Sequence, residues 1–100
     1  MHVAVLARVT EVEPIGARTL RIVFSDGLVR ELDFTDALPG VLSTLDDDTT
    51  FASATVDRTA GTVCWPNGLD LDPDVLHGDR QSASTPQLRV VREYRLQATG

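Results

Sequence analysis

The segment Cys64-Trp65-Pro66-Asn67-Gly68-Leu69-Asp70-Leu71-Asp72-Pro73-Asp74 holds the only Cys and the only Trp of the chain, with two of its five Pro. Pro and Gly after Trp65 predict a tight turn at the end of a strand. Asp72 is a typical N-cap and Pro73 suits the first position of a helix, so a short helix is predicted to start there and to stop at Gly78. The segment therefore predicts a strand, a turn and a helix start, and it contains no evident catalytic group.

Upstream of this segment, apolar and polar residues alternate in stretches that predict strands. A first strand is expected over residues 3–12, and residues 13–16, which include Pro14 and Gly16, are expected to break it. Residues 19–24 and 28–34 are expected to form a hairpin, because Gly27 supplies the positive φ that the turn between them requires. Residues 51–56 and 62–65 predict a second pair of strands around another Gly-containing turn.

Two further segments complete the predicted order of elements. Apolar residues at helical spacing predict a short or broken helix over residues 37–45, with Thr35-Asp36 as its N-cap. Residues 79–86 are polar, and residues 88–96 favour a last strand. One face of that strand would carry Leu88, Val90, Tyr94 and Leu96, interrupted by Arg92, and the other Arg89, Val91, Glu93 and Arg95.

These patterns predict a small α+β fold, a mainly antiparallel sheet of about five to six strands with one or two short helices. Residues 1–78 form the predicted domain, and residues 79–100 form a polar linker and a strand-like C-terminal extension. A chain of 100 residues with 42% hydrophobic residues is long enough for one domain with a modest core.

The net charge of −6 comes from 15 acidic residues and nine Arg, with no Lys. Such a chain is a poor candidate for direct nucleic-acid binding, which needs basic surface, and it better suits a basic protein partner. A single Cys excludes an intrachain disulfide and is typical of a reducing compartment. Neither a signal sequence nor a membrane-spanning run is evident, so a cytoplasmic location is expected.

The acidic residues, His and Cys are candidate metal ligands or catalytic groups. The alternating Asp70, Asp72 and Asp74 lack the Gly and the closing Glu of a calcium loop, so turn and helix caps are favoured. The run 46–48 is interpreted as a solvated loop. Cys64 with His2 and His77 does not give the paired spacing of a zinc site. No catalytic, cofactor-binding or metal-binding residue is assigned.

Two features are candidates for contact with a protein partner. Trp65 either packs in the core, with its indole N–H finding an acceptor, or forms an exposed hot spot; the core is favoured. Arg89, Arg92 and Arg95 form a small basic cluster, either on a solvated strand edge or in contact with an acidic partner.

Four blocks of the sequence resemble one bacterial family, catalogued as domain of unknown function 2442. The blocks are residues 8–14, 20–27, 31–34 and 61–76, ending in the Trp-Pro-x-Gly-x-Asp-Leu pattern. The resemblance implies a small α+β domain dominated by antiparallel strands. Some members carry a C-terminal helix-turn-helix domain; none is expected in residues 79–100, which are too few and lack the helical pattern. Others are encoded beside a second small protein, in pairs that resemble toxin–antitoxin modules.

The leading hypothesis is a non-enzymatic protein-binding or accessory module, antitoxin-like if its partner is encoded by an adjacent gene. The alternative is a small ligand-binding protein or hydrolase with a site near Cys64, Asp70, Asp72 and His77. A third expectation is a homo-oligomer formed through the C-terminal strand.

Overall fold

The structure, a computed structural model, describes residues 8–35, 48–71, 73–78 and 88–96. Within these segments the elements are, in chain order, β1 (Val9–Gly16), β2 (Thr19–Phe24), β3 (Leu28–Asp33), α1 (Asp48–Ala52), β4 (Thr55–Asp57), β5 (Thr62–Cys64), α2 (Pro73–His77) and β6 (Arg89–Arg95). Strands β1-β2-β3-β6 form an antiparallel sheet in this order, and β4 and β5 form a separate hairpin. The protein is therefore a small, mainly antiparallel α+β fold, as the sequence predicts.

The central hairpin β2–β3 follows the predicted alternation. Leu20, Ile22 and Phe24 of β2 are buried, and their register places Leu20 opposite Leu32. We call this side of the four-stranded sheet the inner face, because α1, α2 and the β4–β5 hairpin contribute residues to the same core. The opposite side of the sheet is called the outer face.

The first strand differs from its prediction. β1 runs through Pro14 to Gly16 instead of breaking at residue 13, and a two-residue turn at Ala17 and Arg18 joins it to β2. Within the four-stranded sheet β1 is an edge strand, where a proline without an N–H is tolerated. The register shifts between Pro14 and Gly16. The predicted part of this strand before residue 8 lies outside the described residues.

The segment before β4 was also predicted wrongly in part. Residues 48–52 form α1, where an acidic loop and the start of a strand were expected. Phe51 is 1% exposed and packs by ring edges against Phe34, so burial of this ring outweighs the strand preference of the neighbouring threonines. The helix predicted over residues 37–45 lies outside the described residues.

The segment from Cys64 to Gly78 folds largely as predicted. β5 ends before Trp65, and the Pro66–Gly68 turn brings the chain back beside β5, with Leu71 N donating to Val63 O at 3.1 Å. α2 then spans Pro73–His77 and stops at Gly78, whose φ is +96°. The predicted N-cap, Asp72, lies outside the described residues. None of the helices in the described segments is long and apolar enough to cross a membrane.

Candidate functional site

A row of alternating charges crosses the outer face of the sheet. Glu13 of β1 lies opposite Arg21 of β2, Arg21 opposite Glu31 of β3, and Glu31 opposite Arg92 of β6. The Arg21 guanidinium forms an ion pair with the Glu13 carboxylate. Opposite charges on neighbouring strands stabilise a solvated sheet face modestly, so this row is explained by cross-strand pairing without requiring a ligand.

The next row along the strands is mainly apolar. The register places Glu11 opposite Val23, Val23 opposite Val29, and Val29 opposite Tyr94. Val29 is only 1% exposed, whereas Leu96 beside this row is 56% exposed. The register places Val23 beside Glu11, whereas it places Arg21 beside Glu13. The negative charge of Glu11 is therefore less well neutralised than that of Glu13.

These residues surround a shallow depression of about 380 Å³ on the outer face. Val23 contributes apolar surface, Tyr94 and Leu96 lie on the β6 side, and Glu11 and Glu13 lie on the β1 side. Arg21 also lines the depression and forms an ion pair with Glu13. The volume of the depression is at the lower end of the range for small-molecule pockets, and it can hold one or two protein side chains. Since Arg21 neutralises Glu13, the apolar surface beside the Glu11 carboxylate favours a group that is both apolar and cationic.

The three arginines of the predicted basic cluster are divided between the two faces of the sheet, but not as strict alternation predicts, which sets Arg89 and Arg95 on one face and Arg92 on the other. The β3–β6 register shifts between Glu31 and Leu32, so that Val91 is an extra residue in β6. Arg92 consequently lies on the outer face, as does Arg89, which is opposite Asp33. Arg95 lies opposite Leu28, on the inner side.

The same bulge changes the predicted faces of the last strand. Val90 lies opposite the core residue Leu32, and Leu88 packs partly against the core. Beyond the bulge, Tyr94 and Leu96 border the outer-face depression. A strict alternation over residues 88–96 had placed all four side chains on one face. The prediction of a strand in this segment is confirmed by β6.

Trp65 lies in the core. It is 2% exposed, its ring packs near those of Phe34 and Phe51, and its Nε1–H donates to Phe51 O at 3.0 Å. This is the core alternative of the sequence analysis, including the expected acceptor. A buried indole offers no surface to a partner, so Trp65 acts as a core residue here.

A polar cluster that the sequence did not indicate joins the β2–β3 turn to α2 and β6. Asp26 Oδ2 lies 2.8 Å from His77 Nε2 and 3.6 Å from a guanidinium nitrogen of Arg95, and Asp26 Oδ1 accepts from Leu28 N at 3.0 Å. The His77 ring also packs edge-on against Phe24. Partial burial opposes ionisation of Asp26, but the Leu28 N–H, His77 and Arg95 together outweigh it and lower the pKa of Asp26 below its usual 3.8. The cluster thus ties three elements together.

Of the residues of the predicted hydrolase or ligand site, the structure brings together Cys64 and Asp70 but gives His77 a different partner. Cys64 and Asp70 are joined by a backbone bridge, and Cys64 Sγ lies 3.6 Å from Thr55 Oγ1. His77 faces Asp26, and Asp72 lies outside the described residues. Within the described part of the chain, no group of three or more His, Cys, Asp or Glu side chains is arranged to hold a metal ion.

Sequence reasoning did not single out Glu11, Val23 or Val29. Alternation in residues 19–24 and 28–33 indicates the face of Val23 and of Val29. Glu11 could not be found in this way, because a register shift between Val9 and Glu11 places it on the opposite face from the core residue Val9. Asp26 had been assigned to a turn only. Its contact with His77 joins residues 51 positions apart, and no local pattern could indicate it.

Comparison with known proteins gives a family but no activity. No curated protein and no solved structure matches the chain significantly. A family model described as Protein of unknown function (DUF2442) matches residues 9–81. The match takes in β1 to α2, including both the central hairpin and the segment from β5 to α2. Since it covers well over half of the sequence, the chain belongs to the DUF2442 family.

Proposed function

We propose that the protein is a non-enzymatic module that binds a basic protein partner through the outer face of its four-stranded sheet. The observation that carries the proposal is the depression between the acidic residues of β1 and the apolar residues of β6. A Lys or Arg side chain of a partner could place its charged group beside Glu11 and its aliphatic part against Val23. Such amphipathic side chains pack their stems on apolar surface while the charge stays near solvent.

The overall charge supports the same type of partner. The chain carries a formal net charge of −6, which attracts a basic protein and raises its rate of encounter. On the outer face, the register compensates Glu13 and Glu31 with arginines but gives Glu11 an apolar neighbour. Glu11 is therefore the charge of this face with which a cationic partner would most readily pair.

Some members of the family that this sequence resembles are encoded beside a second small protein, and this arrangement suggests where to find the partner. We propose that it is encoded by an adjacent gene and that the chain neutralises it in the cytoplasm, as an antitoxin does. The test is to co-express the chain with each neighbouring gene product and to measure binding with the purified proteins. Growth with the neighbouring gene expressed alone and together with the chain gives an independent readout.

Two charge reversals make the binding test specific. Glu11→Arg changes the depression, and Asp70→Arg makes the same change of net charge at an exposed residue beside β5. We expect Glu11→Arg to weaken binding at least tenfold, about 1.4 kcal/mol, and Asp70→Arg to change it by less than about threefold. Equal effects of the two substitutions would mean that only net charge matters and would reject the outer face as the site. Failure of every neighbouring product to bind would reject the two-gene hypothesis.

A further inference from the structure

Among the residues that the structure describes, strand β6 leaves one edge of the four-stranded sheet open. It pairs with β3 on one side, and six of its seven residues are exposed. Of the four large hydrophobic residues that are exposed in the described segments, three belong to β6 or follow it directly: Val90, Val91 and Leu96. An open edge presents unpaired N–H and C=O groups, which can pair with a strand of another chain.

The hydrogen bonding of β6 shows which residues offer these groups. Leu96 N donates to Gly27 O at 2.8 Å, so the N–H of residue 96 points toward the β3 side. Because the direction alternates along a strand, the N–H and C=O groups of Glu93 and Arg95 point toward the open edge. Their side chains are 50% and 60% exposed, respectively.

We propose that β6 pairs antiparallel with β6 of a second copy of the chain, about a two-fold axis that passes beside Tyr94. In this register Glu93 lies opposite Arg95 of the second copy, and Arg95 opposite its Glu93. Both are residues whose backbone groups point outward, so they form hydrogen-bonded pairs, and the two Tyr94 residues form the closer, non-hydrogen-bonded pair between them. The two sheets join into one of eight strands, with both outer faces on the same side.

Other registers of the same symmetry are less favourable. A two-fold axis normal to the sheet pairs the central residue with its own copy. Axes at Arg92, Glu93 or Arg95 would therefore set like charges directly opposite each other, which destabilises a sheet. An axis at Val91 would lie on the bulge, where the strand is irregular. Among residues 91–95, only Tyr94 avoids both problems and gives opposite charges on each side of the axis.

The pairing extends over about five residues of each copy, since the bulge limits it toward the N-terminus. We therefore expect a dimer that forms with rising concentration, and not an obligate one. The competing interpretation is that the charges and the bulge of β6 protect a solvated edge from association. That interpretation predicts a monomer at every concentration.

The register predicts an experiment with mixed variants of the full chain. Glu93→Arg sets two arginines against each other across the axis, and Arg95→Glu sets two glutamates, so each variant alone should stay at the monomer mass of 10.9 kDa. An equimolar mixture restores opposite charges at both positions and should shift toward twice that mass. Light scattering after gel filtration, over a hundredfold range of concentration, measures both. A monomeric wild type, dimeric single variants or a mixture that stays monomeric would each overturn the proposal.

A crosslinking test does not depend on those charges. Glu93 and Arg95 also contact Arg30 and Asp26 of their own chain, so the charge variants are first checked for thermal unfolding. In a Cys64→Ser background, Tyr94→Cys should form an interchain disulfide on mild oxidation, because a non-hydrogen-bonded pair has Cα atoms about 4.5 Å apart. Leu96→Cys is the control, since its two copies would lie about 13 Å apart. Equal crosslinking of both variants, or none with Tyr94→Cys, would overturn the register.

Discussion

Replacement of Arg30 by methionine tests how α2 is held against the sheet. Arg30 lies on the inner side of β3, opposite Ile22, and its side chain is only 11% exposed. Its guanidinium donates to Leu76 O of α2 at 2.6 Å. Its Nε lies 2.8 Å from Glu93 Oε1, close enough for an ion pair but outside hydrogen-bond geometry. Arg30 therefore connects α2, β3 and β6 from a largely buried position.

The structure allows the size of the effect to be estimated. Methionine keeps much of the aliphatic stem, so the main loss is the charged hydrogen bond to Leu76 O, about 1.5–3 kcal/mol. The ion pair adds little, because Glu93 is half exposed and water screens it. We expect the free energy of unfolding to fall by about 2 kcal/mol. For a domain of this size that corresponds to a fall in Tm of roughly 8–16 °C.

Urea unfolding followed by the fluorescence of the single, buried Trp65 measures this loss. Arg21→Met is the matched control, because Arg21 lies on the neighbouring strand but on the outer face, where its ion pair with Glu13 is exposed to water. We expect the control to lose less than about 1 kcal/mol. Equal losses for the two variants would refute the reasoning, since they would show that the Arg30–Leu76 contact does not hold α2.

Three further changes test other parts of the fold. Gly61→Ala should lower the free energy of unfolding by about 1–2 kcal/mol, because φ is +69° there and a Cβ would come within 2.8 Å of the Arg8 guanidinium. Thermal unfolding should show a smaller loss when the same substitution is made in an Arg8→Ala background. Trp65→Phe keeps an aromatic ring but removes the buried indole donor, and circular dichroism should record a loss of about 2 kcal/mol; a loss under about 0.5 kcal/mol would contradict the assigned hydrogen bond. Asp26→Asn should destabilise most at about pH 7, and its effect should shrink as the pH falls below 3.8. Because the pKa of Asp26 is lowered in the folded state, its carboxylate stabilises the fold above the unfolded-state pKa, and this stabilisation is lost as the pH falls through the folded-state pKa. Equal urea midpoints of variant and wild type at pH 7 would contradict this.

The parts of the fold that the sequence predicted well are those governed by local chemistry. The β2–β3 hairpin follows from strict alternation around a glycine turn, and α2 follows from a proline start and the positive φ at Gly78. α1 could not be predicted in this way, because Thr49, Thr50 and Phe51 have strand preferences that are local. The burial of Phe51 against Phe34 and Trp65 depends on distant segments of the chain. Packing between distant segments determines the structure at Phe51, and a short window of sequence does not contain that information.

The candidate site was predicted only in part for a related reason. Strict alternation would set Glu11 and Glu13 on the same face as the core residue Val9, whereas a register shift between Val9 and Glu11 places the two acidic residues on the outer face. The bulge at Val91 had a visible trace in the sequence, since Arg92 interrupted an otherwise apolar face. Arg92 was interpreted as an exception within one apolar face. In the structure the side chains instead change face at Val91. One extra residue in a strand reverses the assignment of every side chain on one side of it.

That extra residue also explains how an acidic chain keeps its outer face nearly balanced. Arg89 and Arg92 are three positions apart, and a regular strand would set them on opposite faces. The bulge sets both on the outer face, where they lie opposite Asp33 and Glu31. β6 thus supplies the positive charge that β3 lacks there, and Arg21 does the same for Glu13. The excess negative charge that remains is at Glu11, beside the apolar surface of Val23. Because the other charges of the outer face are balanced, Glu11 is the residue at which we expect a cationic partner to bind.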